Sequence, residues 1–273
     1  MVENYKSNPY AFMNGYCGIS FNDESEFIAL LCTDVKNRLV DEPEKQDFLY
    51  ILKNLQSDTG FSSSQNLLLD IQALSNSDIN VKNFEIGEAI AEVVLESNFK
   101  CGFHWNKRRD SKNPEGNQTG ADLVGFIEHK GEILFLFGEV KTSSEEKNPP
   151  QVLTQKETGM ISQLKELYSN HQKRFDLIRY LQTKIALNDN IKKDFQSAIK
   201  AYYNPDNNYQ LIGVLIRDTE AIENDLKEVY ENLRDTILEP TGLQLVAVYL
   251  PIKQEKWIEI LNQRPQNERY KEV

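Results

Sequence analysis

The chain has 273 residues, of which 40% are hydrophobic and 27% are charged, a balance typical of a soluble globular protein. Its 31 basic and 42 acidic residues give a net charge of −11, which argues against a free-standing DNA-binding protein unless basic residues share one face or a partner supplies the affinity. Three scattered cysteines argue against a disulfide framework or a structural zinc site. The N-terminus lacks the pattern of a signal peptide, and the longest purely apolar run, Ile133–Phe137, is too short to cross a membrane, so a cytoplasmic protein is expected.

The first 80 residues predict an accessory region that is mostly helical. Apolar side chains recur at helical spacing over Glu26–Val40 and Gln46–Leu55, and the Ser- and Gly-rich stretch Ser57–Ser64 predicts a loop. This segment carries no pattern of catalytic residues. We therefore expect the chain to divide into residues 1–80 and residues 81–273.

The second region begins with a predicted helix over residues 83–97. Asn83 can cap it, and Glu85 lies in its first turn, where the helix dipole favours an acid. The apolar runs that follow predict three strands, and the first two are separated by the polar segment 106–119. These strands are expected over Lys100–Trp105, Ala121–Glu128 and Glu132–Lys141.

The chain beyond Pro149-Pro150 predicts helices that alternate with two strongly apolar strands. Continuous apolar strands suit the centre of a sheet that helices cover on both faces. The whole order of elements indicates an α/β fold with a mixed central sheet flanked by helices. The elements expected here are a helical stretch in one or two pieces over Thr154–Ile185, a helix over Asp189–Tyr203, a strand over Tyr209–Arg217, a helix over Thr219–Ile237, a strand over Leu243–Leu250 and a helix over Gln254–Leu261.

Charged residues enter two neighbouring apolar strands near their ends. Glu139 and Lys141 are two residues apart in one strand, so their side chains point to the same face. A hairpin can bring Asp122 of the preceding strand beside them. Two carboxylates with an adjacent ammonium group predict a divalent-metal site suited to phosphodiester hydrolysis. Lys141 is expected to act as a fixed positive charge that stabilises the transition state or positions the attacking water.

The Glu-x-Lys triplet is weak evidence by itself, because the chain contains three of them. Glu128–Lys130 straddles a predicted turn, and Glu145–Lys147 lies in a polar segment. Only Glu139–Lys141 ends an apolar strand, where burying an unpaired charge is costly. A metal ion relieves that cost, and so does the alternative, a structural Glu–Lys pair at the edge of the sheet.

These motifs resemble the PD-(D/E)xK nuclease superfamily, in which a helix bearing an acid precedes a Gly-x-Asp strand and a Glu-x-Lys strand. The segments Gly120-Ala-Asp-Leu-Val-Gly and Gly138-Glu-Val-Lys-Thr-Ser resemble more closely the HamA family, the nuclease subunits of the Hachiman anti-phage defence system. The motif resemblance covers roughly residues 84–168.

The resemblance implies a restriction-endonuclease-like αβββαβ core within residues 81–273, followed by a C-terminal αβα extension. It implies a deoxyribonuclease that depends on Mg²⁺ or Mn²⁺ and associates with a HamB-like superfamily 2 helicase, which restrains it until DNA is sensed. The implied catalytic residues are Glu88, Asp122, Glu139 and Lys141, and the implied metal ligands are Asp122, Glu139 and the backbone carbonyl of Val140.

Other positions are open to two interpretations. Glu92 lies on the same helix face as Glu88 and is either an accessory site residue or a solvated position. Gln163 matches a glutamine that related nucleases place near the site, although Tyr168 follows it by five residues rather than four. Two sets of basic residues either contact a DNA backbone or are solvated: Lys107, Arg108, Arg109 and Lys112 in the loop, and Lys165, Lys173, Arg174 and Arg179 on the long helix.

Two other functions remain as alternatives to a helicase-coupled nuclease. A non-catalytic interaction module would keep the fold and use Glu139 and Lys141 as a structural pair. A stand-alone restriction endonuclease or repair resolvase needs its own grip on DNA, and the net charge of −11 weighs against it. Residues 1–80 are the expected docking surface for a partner, because they are an addition to the minimal nuclease core.

Overall fold

The computed structural model describes residues 1–7, 14–40, 42–58, 62–75, 79, 81–104, 120–184, 189–204, 206 and 208–263. Within this part of the chain, seven strands form one mixed sheet in the order β1-β2-β7-β6-β5-β4-β3. The strands are β1 (Val2–Lys6), β2 (Asn14–Ser20), β3 (Cys101–Gly102), β4 (Leu123–His129), β5 (Glu132–Ser143), β6 (Gln210–Arg217) and β7 (Gly242–Tyr249). The prediction of an α/β fold with a mixed sheet flanked by helices is confirmed.

Helices connect the strands and cover both faces of the sheet. They are α1 (Glu24–Leu30), which continues through a π-helical turn (Leu31–Val35) into α2 (Lys36–Val40), then α3 (Glu42–Ser57), α4 (Gln65–Ser75), α5 (Asn83–Phe99), α6 (Gln151–Thr154), α7 (Met160–Ser169), α8 (His171–Lys184), α9 (Asp189–Tyr203), α10 (Asn224–Arg234) and α11 (Trp257–Asn262). Among the described residues, no helix is long and apolar enough to cross a membrane.

The two faces of the sheet are covered by separate hydrophobic cores. Side chains of β5 point alternately to one core and to the other. Leu134, Leu136 and Val140 pack with α1, α5 and α11 on what we call the α5 face. Phe135 and Phe137 pack with α6 to α10 on the opposite face, the α7 face. Since side chains alternate along a strand, Glu139 and Lys141 belong to the α7 face.

The centre of the sheet is parallel, and this places one end of several strands along a common edge. β5, β6 and β7 are parallel to one another, and β4 is antiparallel to β5. Every residue of β6 and of β7 is buried, in agreement with the continuous apolar runs that predicted them. The carboxyl ends of β5, β6 and β7 therefore meet the beginning of β4 along what we call the carboxyl edge.

The sequence pattern did not predict β1 and β2. β2 joins the sheet through parallel pairing with β7, and β1 pairs with β2 at the border. β2 contains Gly15 and Gly18, which lower its strand propensity. Gly18 leaves room for the ring of Tyr5, since a Cβ at this position would lie 2.4 Å from Tyr5 Cε1. The division of the chain at residue 80 stays a prediction, although residues 2–20 contribute strands to the common sheet.

The helical stretch predicted over residues 154–185 consists of two helices, α7 and α8, and α6 ends at its first residue, Thr154. Arg174 explains how α7 can end at Ser169, because its buried guanidinium donates to the carbonyls of Leu167 and Tyr168 and thereby satisfies the end of that helix. The proposal of a DNA contact for Arg174 is therefore wrong. The helix predicted from Thr219 begins instead at Asn224.

Candidate active site

Asp122 lies immediately before β4 at the carboxyl edge. Its backbone N–H donates to the carbonyl of Gly138 at 3.1 Å, and its Oδ2 accepts from the backbone N–H of Val140 at 2.9 Å. These two bonds hold the Asp122 carboxylate over the end of β5. Because the N–H and C=O of one strand residue point to the same side of the strand, the carbonyl of Val140 is directed to this side as well.

Glu139 is almost completely buried on the same face, with only 1% of its side chain exposed. Its carboxyl group lies within hydrogen-bonding reach of that of Asp122. Burial, followed by the negative charge of Asp122, raises the pKa of Glu139 to about 9, although Lys141 opposes this rise. At neutral pH the Glu139 carboxyl group therefore keeps its proton in the absence of another cation.

Lys141 provides the nearest positive charge to this pair. Its Nζ is 3.5 Å from Oε2 of Glu139, and 17% of its side chain is exposed. A single ammonium group at this distance faces two carboxyl groups, so it does not neutralise both of them. The three residues predicted from the strand pattern are thus brought together at one end of the β4–β5 hairpin.

Gln163 lies on α7, which packs against β5 and β6. Met160 and Leu164 of the same helix contact Gly213, the β6 residue paired with Glu139. Two residues after Gln163, Lys165 donates to Asn232 of α10 at 2.8 Å. Since helix residues are about 100° apart, Gln163 lies on the opposite side of α7, away from α10. Its Oε1 is buried and has no hydrogen-bond partner among the described residues.

Lys173 is a cation near the site that strand patterns do not single out. Its chain crosses Gly120, where a Cβ would lie 2.9 Å from Lys173 Cε, and Gly120 stands two residues before Asp122. Its positive charge lowers the pKa of Glu139, which places it within electrostatic range of the buried pair. The sequence offers Lys173 only as one of four basic residues on a helical stretch, and folding distinguishes it from Arg174.

Glu92 has a structural partner on the α5 face. It is buried, its Oε2 accepts from Nη1 of Arg38 at 3.1 Å, and burial raises its pKa to about 8 in spite of Arg38. Arg38 also bonds Glu96. Glu92 therefore ties α5 to α2, which favours a structural role over an accessory role at the site.

Glu88 is half-buried on α5, next to Gly87. Gly87 lies so close to β5 that a Cβ would meet Oγ1 of Thr142 at 2.1 Å, on the face opposite Glu139. Within the described residues, no three His, Cys, Asp or Glu side chains form a group that could hold a metal ion. Glu88 is thus not drawn into a three-acid cluster with Asp122 and Glu139, and its catalytic role stays a prediction.

The predicted basic loop Lys107, Arg108, Arg109 and Lys112 lies outside the described residues. Of the four basic residues on the helical stretch, Lys165 is bound to Asn232, Arg174 is buried and Arg179 is exposed, whereas the stem of Lys173 crosses Gly120, two residues before Asp122.

Comparison with known proteins identifies the family. A search of curated proteins found no match to this chain. The model of the HamA family matches residues 19–256, a span that runs from the end of β2 to the turn before α11 and includes every site residue described above. The match confirms the resemblance read from the segments around Asp122 and Glu139. The chain belongs to the HamA family.

Proposed function

We propose that this chain is a metal-dependent deoxyribonuclease of the PD-(D/E)xK type and the effector subunit of a Hachiman anti-phage defence complex. The observation that supports this most directly is the convergence of Asp122, Glu139 and Lys141 at the carboxyl edge of the sheet. Ligands of open α/β sheets commonly bind beyond the carboxyl ends of the strands. Membership of the HamA family supports the role in defence.

The residues present fit a hard divalent cation such as Mg²⁺ or Mn²⁺. Asp122 and Glu139 offer adjacent carboxylate oxygens, and the raised pKa of Glu139 reflects a site short of positive charge. The carbonyl of Val140 is directed to the same side, and Mg²⁺ usually takes one or two carboxylates and keeps several waters. A bound cation would polarise the phosphate and lower the pKa of a bound water.

The chain's own side chains would orient the substrate and balance its charge. Asp122 and Glu139 would hold the cation, and the bond from Val140 N–H to Asp122 would keep that carboxylate in place. The Lys141 ammonium would contact a non-bridging phosphate oxygen and stabilise the negative charge that develops during hydrolysis. The Oε1 of Gln163, which has no hydrogen-bond partner in the part of the chain that the structure describes, would accept from a water or from a donor on the substrate.

We further propose that a HamB-like superfamily 2 helicase is the partner and restrains cutting until DNA is sensed. The net charge of −11 supports this division of labour, because a strongly acidic chain gains little from long-range attraction to DNA. The helicase would hold DNA, and this subunit would cut it.

A plasmid-cutting assay with Mg²⁺ or Mn²⁺, with and without the helicase, tests the proposal. Cutting should disappear in the double variant Glu139→Ala/Lys141→Ala. A matched control is Glu128→Ala/Lys130→Ala, which removes another Glu-x-Lys triplet at the far end of the same hairpin, where Glu128 pairs with the exposed Lys100. Cutting that persists in the first variant, or no cutting when both metal and helicase are present, would reject the assignment.

One observation favours a second candidate, a non-catalytic interaction module. Lys141 and Glu139 already form an ion pair, and a structural pair would need nothing else. The distance between Lys141 Nζ and Glu139 Oε2 is long for an ion pair, and Asp122 lies beside the buried Glu139. A pair with this geometry contributes little to stability. In a structural module, Glu139→Gln/Lys141→Met should keep the protein's effect on the helicase, whereas the nuclease proposal expects loss of cutting with binding to the helicase intact.

A further inference from the structure

Lys173 is held in an unusual position for a lysine on a surface helix. It lies in the first turn of α8, where its backbone N–H is capped by Oδ1 of Asn170 at 3.0 Å, and only 17% of its side chain is exposed. Its stem lies across Gly120, whose φ of +86° and missing side chain leave this path open. The ammonium group lies close enough to Glu139 to lower the pKa of that carboxyl group.

The present partner of Lys173 is a carboxylate that another anion can replace. Its Nζ is 3.0 Å from Oε2 of Glu166 on α7, and 52% of the Glu166 side chain is exposed. Ion pairs with so much solvent access are weak and exchange readily. Glu166 is three residues after Gln163 and therefore lies on the same side of α7, the side away from α10.

A nucleic-acid strand that approaches Asp122 and Glu139 carries negatively charged phosphates, which ammonium groups near the site can bind. Lys141 belongs to β5 and lies 3.5 Å from Glu139, and the stem of Lys173 crosses Gly120, two residues before Asp122. Each of the two ammonium groups can bind one phosphate of the same strand.

We propose that Lys173 binds a phosphate group of the nucleic-acid strand that enters the Asp122–Glu139 site, and that this phosphate replaces Glu166 as its partner. The inference rests on the proposed nuclease function and adds a substrate-positioning residue to it. Lys173 acts on the strand and takes no part in bond breaking.

The test measures binding without cutting, by fluorescence anisotropy of labelled single- and double-stranded oligonucleotides. All variants carry Glu139→Gln, which prevents cutting and leaves a neutral side chain of the same size. The test variant is Lys173→Met, because methionine keeps an unbranched stem over Gly120 and removes only the charge. The matched control is Lys165→Met on α7, whose ammonium is bound to Asn232.

Affinity should fall in the Lys173→Met variant, and the slope of log K against log salt concentration should become shallower by about 0.7 to 0.9, the loss of one phosphate contact. Lys173→Arg should restore the slope, and Glu166→Gln should leave binding equal or tighter because a competing carboxylate is gone. The Lys165→Met control should keep the parent slope. A purely structural role for Lys173 would lower stability without a change of slope.

Failure of this inference can be separated from failure of the proposed function. If the parent binds oligonucleotides and Lys173→Met has the same slope as Lys165→Met, the role of Lys173 is overturned and the nuclease proposal stands. If the parent shows no binding even at low salt, the role of Lys173 is overturned, and the nuclease proposal is judged by the plasmid assay with metal and helicase, because the helicase is proposed to hold the DNA.

Discussion

Two groups of buried charged residues lie at the carboxyl edge on the α7 face, and their carboxylates are neutralised very differently. Asp225 of α10 is completely buried, and it bonds Arg217 through Oδ1 and the Tyr249 hydroxyl through Oδ2 at 2.9 Å. Arg217 also donates to Asn148 and to the carbonyl of Glu145. Glu139, in contrast, has an acid beside it and one lysine at 3.5 Å.

We interpret the Arg217–Asp225 group as structural and the Asp122–Glu139 group as the proposed metal site. Burial raises the pKa of Asp225, but the hydrogen bond from Tyr249 and the charge of Arg217 oppose the rise. At Glu139 the neighbouring Asp122 adds to the effect of burial. A buried acid whose surroundings disfavour its ionised form is a candidate cation ligand, whereas a well-bonded pair holds loops together.

Breaking the structural group should have the largest effect. Arg217→Met leaves Asp225 buried without its cation and removes the donors that hold the segment after β5. We expect a loss of about 3 to 5 kcal/mol in the free energy of unfolding, measured by urea denaturation. Arg217→Met/Asp225→Asn removes both charges and keeps an acceptor for Tyr249, so its loss should be smaller. If the single variant lost less than the double variant, the comparison would fail.

A divalent cation bound at Asp122 and Glu139 should stabilise the folded protein, and the size of this effect should depend on pH. The folded-state pKa of Glu139, about 9, lies above the ordinary value of 4.5, so the folded protein holds a proton that the unfolded chain has released. Without metal, stability should therefore fall as pH rises from about 4.5 toward about 9, by on the order of 1 kcal/mol per pH unit at most. If Mg²⁺ binds as proposed, it should replace this proton, and at about 100 times its Kd it should add about 2.7 kcal/mol to the free energy of unfolding.

Thermal unfolding with and without Mg²⁺ between pH 6.5 and pH 9 measures both effects, and the metal-induced rise in Tm should grow with pH. Glu139→Gln should abolish most of the rise. Glu92→Gln is the matched control, because Glu92 is also a buried acid with a raised pKa but is paired with Arg38. An equal response in the two variants would show that Glu139 does not bind the cation.

The smallest expected effect concerns Gly120, the glycine two residues before Asp122. Gly120 and Gly131 have φ values of +86° and +84°, and only Gly120 has a neighbour, Lys173, where a Cβ would be added. Each change to Ala should cost about 1 kcal/mol through backbone strain. Gly120→Ala should also displace Lys173 and weaken oligonucleotide binding, whereas Gly131→Ala should leave binding unchanged. Equal binding in both variants would argue against the placement of Lys173.

Local patterns were sufficient wherever neighbours in sequence are also neighbours in space. The β4–β5 hairpin follows from two apolar runs joined by a turn, and strict alternation places Glu139 and Lys141 on one face and Asp122 beside them. The strands β6 and β7 were predictable from their continuous apolar character. The residues around Asp122 and Glu139 also indicated the HamA family, which the match over residues 19–256 confirms.

Tertiary structure alone decided the contacts between residues far apart in the chain. β2 is a strand because β7 lies beside it, although its glycines give a weak strand signal. Arg174 is buried because its guanidinium donates to the carbonyls at the end of α7, and the stem of Lys173 next to it lies across Gly120, which has no side chain. Adjacent basic residues look alike in sequence, and their roles diverge because a helix points them to different neighbours.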